Sequence, residues 1–212
     1  MIIAVDGPAA SGKGTIAAAL ARRFGLPHLD TGLLYRAVGL SVKAHIEAPD
    51  IEARATRAAE LLDVTGVDPQ ALLGADVGIL ASRIAVFAGV RRALFAVQRD
   101  FALQPAGAVL DGRDIGTVIA PEADAKLFIV ADAAVRAGRR ARQLEARGLT
   151  IDRTRLLADI EARDARDRAA PHGGFHPADD AVLLDTTDLD IEAAITAAIA
   201  EVEAAIARKT TS

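Results

Sequence analysis

Residues 2–15, Ile-Ile-Ala-Val-Asp-Gly-Pro-Ala-Ala-Ser-Gly-Lys-Gly-Thr, constrain the fold more tightly than any other stretch of this 212-residue chain. Residues 1–5 are continuously apolar and rich in β-branched side chains, the mark of a strand buried on both faces. Glycine and proline punctuate residues 7–12, and residues 13–24 read as an Ala-rich amphipathic helix that stops near Gly25 and Pro27. Gly7, Gly12 and Lys13 fall at the G-x4-G-K spacing of a phosphate-binding loop. Glycines there let successive N–H groups turn inward around an anion without Cβ clashes. The following helix directs its positive end at the same anion, and the lysine adds a point charge. One position departs from the pattern: Gly14 intervenes after the lysine, and the hydroxyl residue is Thr15. A plain glycine-rich turn could also join a strand to a helix. The buried strand, the helix and the placed lysine together favour a nucleoside triphosphate site built from Gly7, Pro8, Ala9, Ala10, Ser11, Gly12, Lys13, Gly14 and Thr15.

Further along, apolar runs at about 106–110, 125–131 and 181–184 alternate with charged helical patterns at about 132–147, 152–168 and 190–208. Strands alternating with helices imply an α/β fold with a parallel sheet covered on both faces. After Asp30-Thr31-Gly32 a helix runs to about residue 46, and residues 49–102 read as helices at about 50–63, 75–86 and 90–102. That helical stretch interrupts the alternation and reads as an insertion over the sheet's ligand edge. Half the residues are hydrophobic, enough for a core, but aromatics are scarce, so aliphatic packing must supply it. A formal net charge of −4 argues against a general nucleic-acid coat. The absence of cysteine excludes disulfides, thiolate metal sites and a cysteine nucleophile. Met1 to Val5 meet Asp6 without a basic leader, too short for a signal peptide or a membrane span, so a cytoplasmic location is the expectation.

Three further clusters carry chemistry. Val109-Leu110-Asp111-Gly112-Arg113-Asp114 ends an apolar strand. An acid there suits Mg²⁺ handling, directly or through water, while Arg113 and Asp114 would project into the crevice beyond the strand's carboxyl end. Asp-Gly is also a common turn pair. Arg136, Arg139 and Arg140 share one helix face at i, i+3, i+4, and Arg163, Arg166 and Asp167 repeat that geometry. Such charges form either a solvated face or the cations that offset charge on a transferring phosphoryl group. His172 and His176 have helical metal spacing, but Gly173-Gly174 between them makes a loop the better reading. His28 and His45 have no partners in sequence and need no special role.

These motifs together resemble the bacterial cytidylate kinases, within the nucleoside monophosphate kinases, from Ile2 to about residue 205. The narrowest matches are Leu29-Asp30-Thr31-Gly32-x-x-Tyr35-Arg36, Asp111-Gly112-Arg113-Asp114-x-Gly116-Thr117-Val118 and Arg163-Asp164-x-Arg166-Asp167. Gly-Lys-Gly-Thr is usual in that family, which accounts for the displaced Thr15. The resemblance implies a P-loop kinase core with a five-stranded parallel sheet, helices on both faces, a mostly helical monophosphate-binding insert and a short lid. It implies one kinase domain over 1–212, with 31–102 as monophosphate segment and insert and about 137–152 as the lid, acting as a monomer. The implied reaction moves the γ-phosphoryl of ATP to CMP or dCMP with Mg²⁺.

Carried over by position, Thr31, Tyr35 and Arg36 line the monophosphate pocket, which Arg91 also serves. Ser82 and Asp167 hydrogen-bond cytosine, Arg113 meets phosphate and Asp114 the sugar. Arg136 would bind ATP from the lid; Lys13, Arg113, Arg139 and Arg140 would act on the transferring group, and Thr15 and Asp111 would face Mg²⁺. Asp accepts from an exocyclic amine, which cytosine has and uracil lacks. The chain departs from the family pattern at Ala170, where an arginine is usual, and in a short insert between Asp63 and Ser82. Rival readings are a kinase for another monophosphate or a small hydroxylated metabolite, and an ATP-binding regulator. Lys13→Ala should abolish phosphoryl transfer and leave the circular-dichroism spectrum unchanged; near-normal turnover would remove Lys13 from its role.

Overall fold

In a computed structural model, which describes residues 1–63, 71–72, 74–146, 148–169 and 175–210, five strands form one parallel sheet. They are β1 (Ile2–Asp6), β2 (His28–Asp30), β3 (Ala108–Gly112), β4 (Ala125–Val130) and β5 (Val182–Asp185), in the order β2-β3-β1-β4-β5. Central β1 pairs in parallel with β3, Val5 opposite Asp111, and with β4, Val5 opposite Leu127. Its Ile3, Ala4 and Val5 are wholly buried, as a strand with neighbours on both sides and layers on both faces must be.

The helices are α1 (Lys13–Phe24), α2 (Thr31–Ser41), α3 (Ile51–Glu60), α4 (Ala75–Ile84), α5 (Ala88–Ala102), α6 (Ala133–Glu145), α7 (Arg153–Ala169) and α8 (Ile191–Thr210). Among the described residues none is long and apolar enough to cross a membrane. Contacts divide the chain into two compact units. One comprises Met1–His28 with Pro105–Ser212, the other Leu29–Gln104.

In the first unit Ile3 and Val5, with Val109, Leu127 and Ile129 of the flanking strands, bury one sheet face against Ile16 and Leu20 of α1 and Ala194, Ala198 and Val202 of α8. Each fully buried aliphatic side chain of this kind contributes roughly 1.5–3 kcal/mol, which lets a core poor in aromatics suffice. α1 has the expected bounds because Gly25 adopts a left-handed conformation (φ 65°) and donates its N–H to Ala21 O. α6 starts where Asp132 accepts from Ala134 N (2.8 Å). On the opposite sheet face, a five-residue π-helical turn, Ile115–Ile119, packs over β1 and β3.

In the second unit Asp30 caps α2 by accepting from Gly32 N (2.9 Å). α2 ends at Ser41, whose hydroxyl donates to Val38 O, and the chain tightens into a 3₁₀ turn over Lys43–His45 where a continuous helix to residue 46 was expected. Leu34, Val38, Ala55, Ile84, Val90 and Leu94 form this unit's core. α2 and α4 touch backbone to backbone at Gly39, where an added Cβ would stand 2.9 Å from Ala81 N. Gly39→Ala should therefore destabilise by about 1–3 kcal/mol despite its better helix propensity, read as a lower urea midpoint. An unchanged or raised midpoint would show that the helices can part at no cost.

Candidate functional site

β1 delivers the chain into the loop 7–12 at its carboxyl end. Gly7 (φ 152°) lies so close to β4 that a Cβ would collide with the Ile129 carbonyl oxygen. Ala10 (φ 61°) and Gly12 (φ 91°) are also left-handed. For Ala10 that conformation costs roughly 1–2 kcal/mol. Gly12 begins α1 without a side-chain cap. The buried Ser11 hydroxyl, 1 % exposed, has no hydrogen-bond partner among the described residues. A loop with left-handed turns, an uncapped helix start and an orphaned hydroxyl is suited to wrapping an anion. Thr15 is exposed in the first turn of α1.

The loop is tied from below. The buried Asp6 carboxylate accepts from Ile115 N (2.9 Å) and Gly116 N (2.8 Å). These two bonds join the end of β1 to the segment that carries Arg113 and buried Asp114. Removal from water dominates, and burial pushes the Asp6 carboxyl up to about 6 although both amides and Arg113 pull the other way.

Asp111, 1 % exposed, stands beside the phosphate loop. Its Oδ2 is 3.7 Å from Lys13 Nζ, and its Oδ1 accepts from His28 Nε2 at 2.8 Å. A carboxylate can only accept here, so Nε2 carries the proton. The structure thus gives His28, which the sequence left without a role, a partner on β3.

The arginines are held rather than loose. Arg136 is buried and forms a bidentate pair with Asp164 (2.5 and 3.2 Å), while also donating to Ala9 O (3.1 Å) and Ala131 O (2.8 Å). One guanidinium so connects α6, α7 and the backbone of the phosphate loop. Arg139 donates to Thr186 O (2.5 Å), Thr186 Oγ1 (3.1 Å) and Leu189 O (3.1 Å), tying α6 to the loop after β5. Arg140 donates to Gln143 Oε1 on the surface (2.7 Å). Arg113 donates to Asp167 Oδ2 (2.9 Å) and lies over the Phe175 ring, 5.8 Å from its centroid. Phe175 in turn packs on Phe128 of β4. A cleft of about 370 Å³ opens here, lined by Pro8, Ala131, Arg136, Asp164, Arg168 and Phe175.

In the other unit, Thr31 is buried at the start of α2 and Tyr35 packs half-buried against the core. Arg36 donates to Leu72 O (2.8 Å) and Gly74 O (3.4 Å), and a Cβ on Gly78 would stand 3.4 Å from its guanidinium. Ser82 donates to Gly78 O (3.1 Å). α4 therefore brings Arg36 and Ser82 to one turn. Arg91 is half-buried near the start of α5. Ala170 and His172 lie outside the described residues, as do parts of the insert (64–70 and 73) and residue 147 of the expected lid.

Residues 3–204 match the sequence profile of the family described as cytidylate kinase. The chain is 57 % identical over 204 residues to a cytidylate kinase of Xanthobacter autotrophicus, covering 96 % of this chain and 98 % of that one. It is 52 % identical over 205 residues to a cytidylate kinase of Methylocella silvestris, covering 97 % and 95 %. The chain belongs to the cytidylate kinase family. In fold it is similar to an uncharacterized protein of Eubacterium ventriosum, with a TM-score of 0.53 at 15 % identity over 96 % of this chain and 98 % of that one.

Within this member of the cytidylate kinase family, Asp6, His28 and Asp164 stand out as side chains whose roles sequence reasoning missed. Asp6 carried a signal, an acid closing an apolar strand; its partners are more than a hundred residues away. The raised pKa of Asp6 sets a direction for stability. Between its unfolded value near 3.8 and its folded value of about 6, the native state holds a proton that the unfolded chain has lost. The contribution is thus fully present below pH 4 and is lost as pH rises through 6. It should amount to roughly 3 kcal/mol. Unfolding free energies from pH 4 to 7 should show this decline in the wild type and a flatter profile in Asp6→Asn. Parallel profiles would mean that Asp6 ionises normally.

Proposed function

We propose that this chain is an ATP-dependent kinase that transfers the γ-phosphoryl group of ATP to CMP or dCMP, giving CDP or dCDP and ADP. The observation that carries this is the juxtaposition, in one unit, of a phosphate loop, Lys13 beside Asp111, and the Arg113–Asp167 pair. Family membership adds to it. A phosphate oxygen of the monophosphate attacks the γ-phosphorus, and the bond to the bridging oxygen of ADP breaks. Little covalent chemistry falls to the protein, which must position and neutralise.

On the donor side, residues 7–15 wrap the triphosphate, and Lys13 follows the charge from the γ-phosphoryl to the leaving oxygen. Arg136 serves ATP through the loop backbone, because its donors go to Ala9 O, Ala131 O and Asp164. Arg139 and Arg140 supply cation character from the lid segment, about 137–152. Mg²⁺ would accompany ATP and neutralise phosphate charge. Thr15 and Asp111 offer the hard oxygens it prefers, and no cage of three or more acids or histidines exists among the described residues, which suits an ion that keeps its waters and arrives with phosphate.

On the acceptor side, Thr31, Tyr35, Arg36 and Arg91 serve the monophosphate and Ser82 the base. In the first unit Arg113 serves phosphate, Asp114 the sugar and Asp167 the cytosine amine. One oxygen of Asp167 is occupied by Arg113, which leaves Oδ1 to accept from the base. The same reading has the protein act in the cytoplasm as a monomer on small molecules, with neither nucleic acid nor membrane as partner.

Coupled ADP release measured with MgATP over CMP, dCMP, UMP, AMP and GMP tests the proposal. CMP and dCMP should exceed UMP in kcat/KM by roughly 5- to 150-fold, the value of about 1–3 kcal/mol for a buried acceptor left without its donor. Asp167→Asn should narrow that ratio. Turnover of UMP or AMP above CMP would sink the assignment, and ATP consumption indifferent to any acceptor would point to a nucleotide-sensing regulator.

A further inference from the structure

We infer that His28 is a positioning residue for the donor site: its imidazole holds Asp111 so that one carboxylate oxygen is kept facing Lys13 and the metal–phosphate position. The inference rests on the MgATP reading above and extends it to a histidine outside the family motifs.

The geometry begins with the backbone. Val109 N donates to Pro27 O at 2.8 Å, which pins the chain just ahead of β2 onto β3. That bond sets His28 alongside Asp111, and the imidazole closes the distance to 2.8 Å. Asp111 shares a sheet face with its register partner Val5, the face that α1 covers. Its two oxygens are divided. Oδ1 is taken by His28, whereas Oδ2 lies 3.7 Å from Lys13 Nζ and would lie 3.7 Å from a Cβ on Gly14. Oδ2 therefore faces the turn of chain that carries Thr15.

The terminal torsion of an aspartate is broad, so nothing intrinsic fixes which way its oxygens point. A charge-assisted bond between lysine and carboxylate closes to about 2.7–2.9 Å when geometry allows. The Lys13–Asp111 separation is longer than that. Anchoring Oδ1 on His28 keeps the carboxylate from rotating toward the lysine and collapsing onto it. Oδ2 is then kept on the side of Lys13 and Gly14, where a phosphate-bound metal or a water on it would meet it. Without the imidazole, Asp111 would keep its charge but lose its aim.

The test compares ADP binding by calorimetry with excess Mg²⁺ and with EDTA, in wild type, His28→Ala, His28→Gln and His28→Asn. Gln can carry an N–H to the place of Nε2 and Asn is too short. His28→Ala and His28→Asn should weaken Mg²⁺-dependent ADP binding by about tenfold, as loss of a partner to a metal-facing group does. Binding in EDTA should stay within about twofold of wild type, and His28→Gln should restore the Mg²⁺ effect. If His28→Ala does not fold, the contrast between Gln and Asn reads the same quantity. Equal losses with and without Mg²⁺, or no loss in Ala and Asn, overturn the inference while the donor-site reading stands. A wild type that binds ADP in neither buffer overturns that reading and the inference with it.

Discussion

The Asp6 carboxylate is the point on which the loop-bearing end of the first unit depends. It closes β1 one residue before the phosphate loop and grips two consecutive amides, Ile115 and Gly116, that follow the β3 acidic motif. Burial raises its pKa to about 6, so the ionised group is held against a desolvation penalty that the two amides only partly offset. What that outlay secures is relative placement. The loop, the Asp111–Asp114 segment and the π-helical turn are fixed to one another through side chain and backbone, where a hydrophobic contact at the same place would leave the segment free to slide.

A second theme is the use of arginine as internal scaffolding. Arg136 and Asp164 form a bidentate pair whose partners are both nearly excluded from water. Such a pair gains little net stability over apolar packing, because desolvation cancels much of the Coulomb attraction. Its worth lies in direction: the same guanidinium donates to Ala9 O and so reaches the loop backbone. Arg139 does likewise for the loop at Thr186 and Leu189. Both guanidiniums are committed to fixed acceptors and so hold the segments they join in one arrangement.

Much of the architecture was legible in residue order. α1 falls on the expected residues because Gly25 and Pro27 stop it, and four of the five strands are apolar runs whose bounds shift by one or two residues. β2 escaped the pattern because three residues, His28–Asp30, are too few to show a period. The π-helical turn escaped as well, since Ile-Gly-Thr-Val-Ile has no helical signature and its first two amides are held by the distant Asp6. Lys13, Asp111 and Arg113 were singled out from local motifs. His28 was not, for its partner lies 83 positions away. The destination of Arg136 was equally hidden: helical spacing puts it on a face with Arg139 and Arg140, yet it is buried while the other two are only partly so.

The sequence by itself determined the α/β class, the phosphate loop and the family, because each is carried by residues adjacent in the chain or at fixed short spacing. Backbone freedom at glycine, the start of a helix and a lysine one residue on are local facts. Tertiary structure alone decided which polar groups share a proton or a charge: Asp6 with the amides of 115 and 116, Asp111 with His28 as well as Lys13, Arg113 with Asp167 and Arg136 with Asp164. The reason is that hydrogen bonding and desolvation act over a few ångströms of space regardless of separation along the chain. Which carboxylate meets which cation is therefore settled only when parallel strands bring distant segments into register.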